Sequence, residues 1–223
     1  MSTIFLDTPE KDVLGQLSKF KHIRKLKFNK IEFELLIETL KSMNNQITAI
    51  DLVTSKGNLD IGALSKLCPN LITLEIYYSK NVSSKTPVKF VNLTRIVIYS
   101  TDLSGEAAND ILENSPNLEH VTLSSAATLD FTMLLKMLNK GCLKFVDELA
   151  IMSAPCLDIL CLELLIEKLP TLQIIGRLEG WNVTSVQLEH LRKRLKQENY
   201  DLTLWYNLPL HVELGMDPDI LDL

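Results

Sequence analysis

A chain of 223 residues that is 46% hydrophobic and 23% charged has the composition of a folded protein with a core, not of a disordered tail. Its net charge of -5 offers no general attraction to polyanions, so nucleic acid is not expected as a partner. The longest apolar stretch, Leu157 to Leu169, is broken by Asp158, Glu163 and Glu167 and falls short of the roughly 18 uncharged residues of a membrane span, so no membrane partner is expected either.

Taken from the N-terminus, MSTIFLDTPEKD has neither the basic start nor the sustained apolar core of a secretory signal, and a cytoplasmic or nuclear location is expected. Residues 1–22, with Leu6, Val13, Leu14 and Leu17, read as a short amphipathic helix that caps the first of the units starting at residue 23.

From residue 23 a motif of the form apolar-x-x-apolar-x-apolar recurs: Ile23/Leu26/Phe28, Ile47/Ile50/Leu52, Leu71/Leu74/Ile76, Leu93/Ile96/Ile98, Leu118/Val121/Leu123 and Val146/Leu149/Ile151. Successive copies start 24, 24, 22, 25 and 28 residues apart, a period that marks a repeat architecture. A weaker seventh copy begins at Leu172 with Ile175 but places Arg177 where an apolar residue belongs, and Leu202/Leu204 end the series. Each motif closes in strict alternation, as a half-buried strand does, so the interleaved residues face the other way.

Helical patterns separate most copies. Phe33, Leu36, Ile37 and Leu40 share one face, as do Ala107, Ala108, Ile111 and Leu112, and then Phe131, Leu134, Leu135 and Leu138. Cys156 to Leu169 reads as a well-buried helix, and Val186, Leu188, Leu191 and Leu195 define the last one. Ser79 to Val91 has no helical pattern and predicts a unit with an extended back. Residues 207–223 alternate apolar residues with Glu213, Asp217, Asp219 and Asp222. They read as a tail covering the edge of the last unit, with an acidic docking peptide as the rival reading.

Three junctions repeat one stop signal: Cys68-Pro69-Asn70-Leu71, Ser115-Pro116-Asn117-Leu118 and Leu169-Pro170-Thr171-Leu172. Proline cannot continue a helix and pushes the residue before it into extended backbone, so each ends a helix and launches a strand. With these junctions in register, residues 20–206 resemble the cysteine-containing, F-box-associated type of leucine-rich repeat. That resemblance implies an α/β solenoid of about seven to eight repeats, with a curved parallel sheet on the concave side and helices on the convex side. The chain departs from that pattern at the turn after each strand, commonly Asn or Cys, where Ile31, Ser55, Ser79, Thr101, Ala126 and Ala154 stand instead, so a side-chain ladder there is expected to be weak or absent. No F-box is visible in the sequence.

Function is expected on the interleaved positions. Tyr77, Arg95 and Tyr99 should be neighbours on adjacent strands, with Thr73, Glu75, Asp51, His120 and Trp205 on the same face. Tyr, Trp and Arg anchor interfaces most often, because they bury a large area behind a polar tip. A protein partner is therefore expected. The resemblance implies substrate reception for a cullin-RING ubiquitin ligase, with the ligase adaptor as a further partner. A standalone inhibitor or scaffold is the alternative.

No catalytic residue, cofactor or metal is expected. His22, His120, His190 and His211 are scattered, and no glycine-rich phosphate loop or nucleophile elbow occurs. Cys68, Cys142, Cys156 and Cys161 are too few and too scattered for a disulfide framework and read as buried thiols, two of them on the Cys156 helix. Arg192, Lys193, Arg194 and Lys196, balanced by Glu189 and Glu198, read as a solvated helix face. The sequons at Asn81, Asn92 and Asn182 read as chance occurrences.

Overall fold

The structure is a computed structural model that describes residues 2–43, 45–99 and 101–206. In chain order the elements are β1 (Ser2–Asp7), α1 (Lys11–Gln16) with a 3-10 turn (Leu17–Lys19), β2 (Ile23–Asn29), α2 (Phe33–Ser42), β3 (Ala49–Val53), β4 (Leu59–Asp60), α3 (Ile61–Leu67), β5 (Thr73–Tyr77), β6 (Val82–Ser83) and β7 (Arg95–Tyr99). The second half of the chain adds α4 (Gly105–Asn114), β8 (His120–Leu123), α5 (Phe131–Asn139), β9 (Glu148–Ile151), β10 (Ala154–Asp158), α6 (Ile159–Lys168), β11 (Ile174–Gly176), a 3-10 turn (Leu178–Gly180), β12 (Trp181–Asn182), α7 (Ser185–Gln197) and β13 (Thr203–Leu204).

Nine strands make one sheet in the order β1-β2-β3-β5-β7-β8-β9-β11-β13. Every pair is parallel, and each strand lies between its neighbours in the chain. The pairs β4–β6 and β10–β12 form two small separate sheets, also parallel. The fold is therefore α/β, with an all-parallel sheet of nine strands and seven α-helices among the described residues.

The motif positions explain the sheet. Leu26, Phe28, Ile50, Leu52, Leu74, Ile76, Ile96 and Ile98 are each 0% exposed. They share one continuous cluster with Leu36, Leu40, Ile111, Leu112, Leu134 and Leu165 from the helices. The helices thus cover one face of the sheet, and each buried Leu or Ile contributes about 1.5–3 kcal/mol relative to exposure. The interleaved strand residues lie on the face the helices leave open.

Local chemistry starts five of the described helices and stops three. Asp60, Ser104, Asp130, Asp158 and Thr184 each accept a bond from a backbone N–H of the first turn, satisfying donors that have no intrahelical partner. Cys68, Ser115 and Leu169 end α3, α4 and α6 in non-helical backbone, each just before a proline. The polar residue after that proline, or its counterpart, ties one unit to the unit before. Asn70 Nδ2 donates to Asn45 O at 2.9 Å, Asn92 Nδ2 to Pro69 O at 2.9 Å, Asn117 Nδ2 to Val91 O at 2.7 Å, and Thr171 Oγ1 to Val146 O at 2.9 Å.

Several expectations need correction. Residues 1–22 are not a simple helical cap: Ser2–Asp7 forms β1, parallel to β2, with Ile4 opposite Leu26 and Leu6 opposite Phe28. Pro9 separates Leu6 from Val13, and a helix cannot run through it without losing a hydrogen bond. Cys156 lies in β10 and is exposed, Cys142 is half-buried, and only Cys68 and Cys161 are buried thiols. The turn ladder is present over part of the sheet. Ser55 Oγ donates to Ser79 Oγ at 2.7 Å, Ser79 Oγ to Tyr77 O at 3.3 Å, and Ser124 Oγ to Thr101 O at 2.7 Å. Ser79 to Val91 does lack a helix, as expected. The expected edge-covering tail, 207–223, lies outside the described residues.

Candidate functional site

Strand register brings most of the selected residues together on the open face. Lys25, Ala49, Thr73, Arg95, His120 and Glu148 form one row. Phe5, Lys27, Asp51, Glu75, Val97 and Thr122 form the next. Asn29, Val53, Tyr77 and Tyr99 form a third. Each row crosses strands about 4.8 Å apart, close enough for long side chains to touch.

The middle of the face is an ionic network. Lys27 Nζ lies 2.9 Å from Asp51 Oδ2, and Arg95 Nε lies 3.1 Å from Glu75 Oε1. The Tyr77 hydroxyl donates to Glu75 Oε2 at 3.2 Å. Asp51 is 4% exposed, and its Oδ1 is buried without a hydrogen-bond partner among the described residues. Burial holds the Asp51 pKa above the ordinary 3.8, although the Lys27 ammonium pulls the other way. Burial, and then the Glu75 carboxylate, also hold the Tyr77 hydroxyl well above the usual tyrosine range.

The interleaved pattern predicts an accessible Tyr77 and Asp51, and both are buried. Tyr77 is 1% exposed, although it stands outside the apolar cluster that the helices cover. Alternation assigns a face but not a depth. A tyrosine whose hydroxyl bonds the residue two positions back on the same face lies along its strand, and Val53 and Tyr99 flank it in register. Tyr77 therefore supports the face from within.

Thr73, Glu75, Arg95, Tyr99 and His120 are half-buried. His120 Nδ1 lies 3.1 Å from Asp147 Oδ1 and 3.3 Å from Glu148 Oε2, within charge-pair distance but outside hydrogen-bond alignment. Trp205 is 40% exposed, just past β13. Four strand spacings, about 19 Å, separate β13 from β7, so Trp205 does not join Arg95 and Tyr99.

Two exposed aromatics escape a reading of the sequence. Tyr78 is 42% exposed, and its ring meets Tyr99 edge-on, with centroids 6.2 Å apart. Its φ of 52° turns it out of the strand alternation. Lys30 and Thr54, one place past the preceding strands, are left-handed as well, so the position after the strand is the signal. Phe5 is 57% exposed beside Lys27 and goes unnoticed as long as β1 does.

A hollow of about 660 Å³ lies off the C-terminal ends of β5 and β7 beside Asn81, Ser83, Thr101 and Asp102. None of the selected residues lines it. Among the described residues no group of three or more His, Cys, Asp or Glu is placed to hold a metal ion, and no helix is long and apolar enough to cross a membrane. No protein-family model matches the sequence, and a search of curated proteins finds no match.

Proposed function

We propose that the chain is a leucine-rich-repeat solenoid that holds a protein partner against the open face of its sheet. The observation that carries this reading is the set of ion pairs Lys27–Asp51 and Glu75–Arg95 across four neighbouring strands, flanked by Tyr99 and Tyr78, on a face that no described helix covers. Such a face combines aromatic area with fixed charges, the makings of an interface centre. A solenoid of this kind would set the open face on its concave side, because helices need about 8–10 Å each and strands about 4.8 Å.

The resemblance to F-box-associated repeats extends this to substrate reception for a cullin-RING ubiquitin ligase. A standalone inhibitor or scaffold is the second reading; residues 2–19 are built into the end of the sheet and its first helix and do not themselves form an adaptor-binding helical unit. Co-purification with the ligase adaptor separates the two: the receptor reading requires it and the scaffold reading does not.

The binding face itself is tested by a photo-crosslinking residue placed at Thr73 or Tyr99, with one at the exposed Glu106 on α4 as the comparison. Crosslinks to the captured protein from the first two sites and none from the third are expected. The reverse pattern would remove the open face from the function. Arg95→Ala with Tyr99→Ala should weaken capture on the order of 30-fold or more if both are interface centres. Tyr77 is left intact, because its burial would confuse loss of binding with loss of fold.

A further inference from the structure

The unit between β5 and β7 is built unlike the others. No helix forms over Ser79 to Val91, and this segment is pinned against α3 instead. Asp60 Oδ1 accepts from the backbone N–H groups of Gly62, Lys85 and Thr86 at 3.1, 3.2 and 3.3 Å, and Oδ2 accepts from Thr86 Oγ1 at 2.6 Å. A Cβ on Gly62 would stand 1.8 Å from Thr86 O, so the two backbones touch. Further along, Val88 and Phe90 turn inward, 5% and 1% exposed, and Lys89 N–H donates to Ser65 Oγ at 3.1 Å.

Where the other units set a helix, this one leaves a groove of about 550 Å³ on the helix side, lined by Lys66, Pro69, Pro87, Lys89 and Val91. Val91 is 40% exposed on its wall. The segment from Ser79 to Val91 carries Lys80, Lys85 and Lys89 and no acidic residue, in a chain of net charge -5. Among the described residues the ion pairs engage none of these lysines, nor Lys66. Of these lysines, Lys66 and Lys89 line the groove itself, and an apolar channel carrying two ammonium groups matches a ligand that is both apolar and acidic.

We propose that this groove seats an acidic, apolar segment of a partner protein, on the side of the molecule away from the open face. The chain's own residues 208–223 have that composition too, and the test separates them: if Asp217→Lys/Asp219→Lys/Asp222→Lys raised the affinity of added peptides about tenfold, the occupant would be this segment and the partner assignment would be overturned.

The experiment is selection of short peptides from a random display library on the full chain, followed by affinity measurement on wild type and on Lys66→Glu/Lys89→Glu, both surface positions. Enriched peptides should combine acidic and apolar residues and lose roughly tenfold or more in affinity on the double variant. Val91→Asp should weaken the same peptides, and peptides with their acids changed to Lys should recover binding to the double variant. Three results would overturn the proposal: no enrichment over the double variant, a consensus without acidic residues, or peptides lost on Arg95→Ala/Tyr99→Ala. Self-association that the double variant abolishes would make the occupant a second copy and overturn the partner assignment. Failure here leaves the open-face reading standing, because the two surfaces share no residue.

Discussion

At the scale of single residues, burial of Asp51 gives the open face one pH-dependent contribution to stability. Its folded-state pKa is raised, mainly by burial, so the folded chain holds that proton more tightly than the unfolded chain does. The Asp51 contribution to stability therefore falls as pH rises from 3.8 through the raised folded value. Asp51→Asn removes this ionisation, and urea titrations should show the variant gaining on the wild type as pH climbs from that value toward neutrality. A wild type that gains instead would mean the Lys27 pair outweighs desolvation. The cysteines give a second residue-level outcome. Burial pushes the Cys68 thiol up to about 12 and the Cys161 thiol up to about 11, whereas Cys156 is exposed. Since the thiolate is the nucleophile, a maleimide reagent and subsequent peptide mapping should modify Cys156 first and reach Cys68 and Cys161 only on unfolding. Early modification of Cys68 would contradict its burial. At this scale alternation tells which face a side chain takes, and Leu26, Ile50, Leu74 and Ile96 lie where it puts them. How deep a polar-face residue sits is not legible, because depth depends on neighbours distant in the chain: Val53 and Tyr99 flank Tyr77 in register, and Arg95 holds the Glu75 carboxylate to which Tyr77 donates.

At the scale of elements, the unit without a helix depends on one carboxylate. Asp60 caps α3 and also holds Lys85 and Thr86, so Asp60→Ala loses a helix cap and the tether together. A cost of about 2 kcal/mol is expected, a fall of roughly 4–8 °C in Tm for a chain of this size. Asp60→Asn, which keeps one acceptor oxygen, should lose less. Equal losses for Ala and Asn would mean that charge, not acceptor geometry, does the holding. The absence of a helix here is legible from Pro87, the lysines and the missing apolar period, whereas its consequence, an uncovered groove, is not. Nor is β1, since Ile4 and Leu6 give only two alternating apolar positions, and Leu6 groups as easily with Val13 and Leu14 across Pro9. The Pro-polar junctions are legible as stops. That Asn70, Asn92 and Asn117 also stitch neighbouring units requires knowing that units stack in register.

At the scale of the whole molecule, the strand order has a consequence for cooperativity. Among the described residues every strand of the large sheet pairs only with the strands of that sheet before and after it in the chain, so no strand pairing closes the two ends of the sheet on each other, and stability is close to a sum of units and nearest-neighbour interfaces. Damage near one end should then stay local. Ile175, 0% exposed in β11, offers the test: Ile175→Ala removes buried volume and should cost about 2–5 kcal/mol where the cavity forms. Hydrogen exchange read by mass spectrometry should show faster exchange in β9, β11, β13 and α7, while β2, β3, β5 and β7 keep their protection. The open-face network from Lys27 to Arg95 lies in the protected half, so capture through that face should survive a substitution that loosens the other end. Protection lost evenly from β2 to β13 would show instead that the sheet opens as one cooperative block, and the nearest-neighbour account would fail with it.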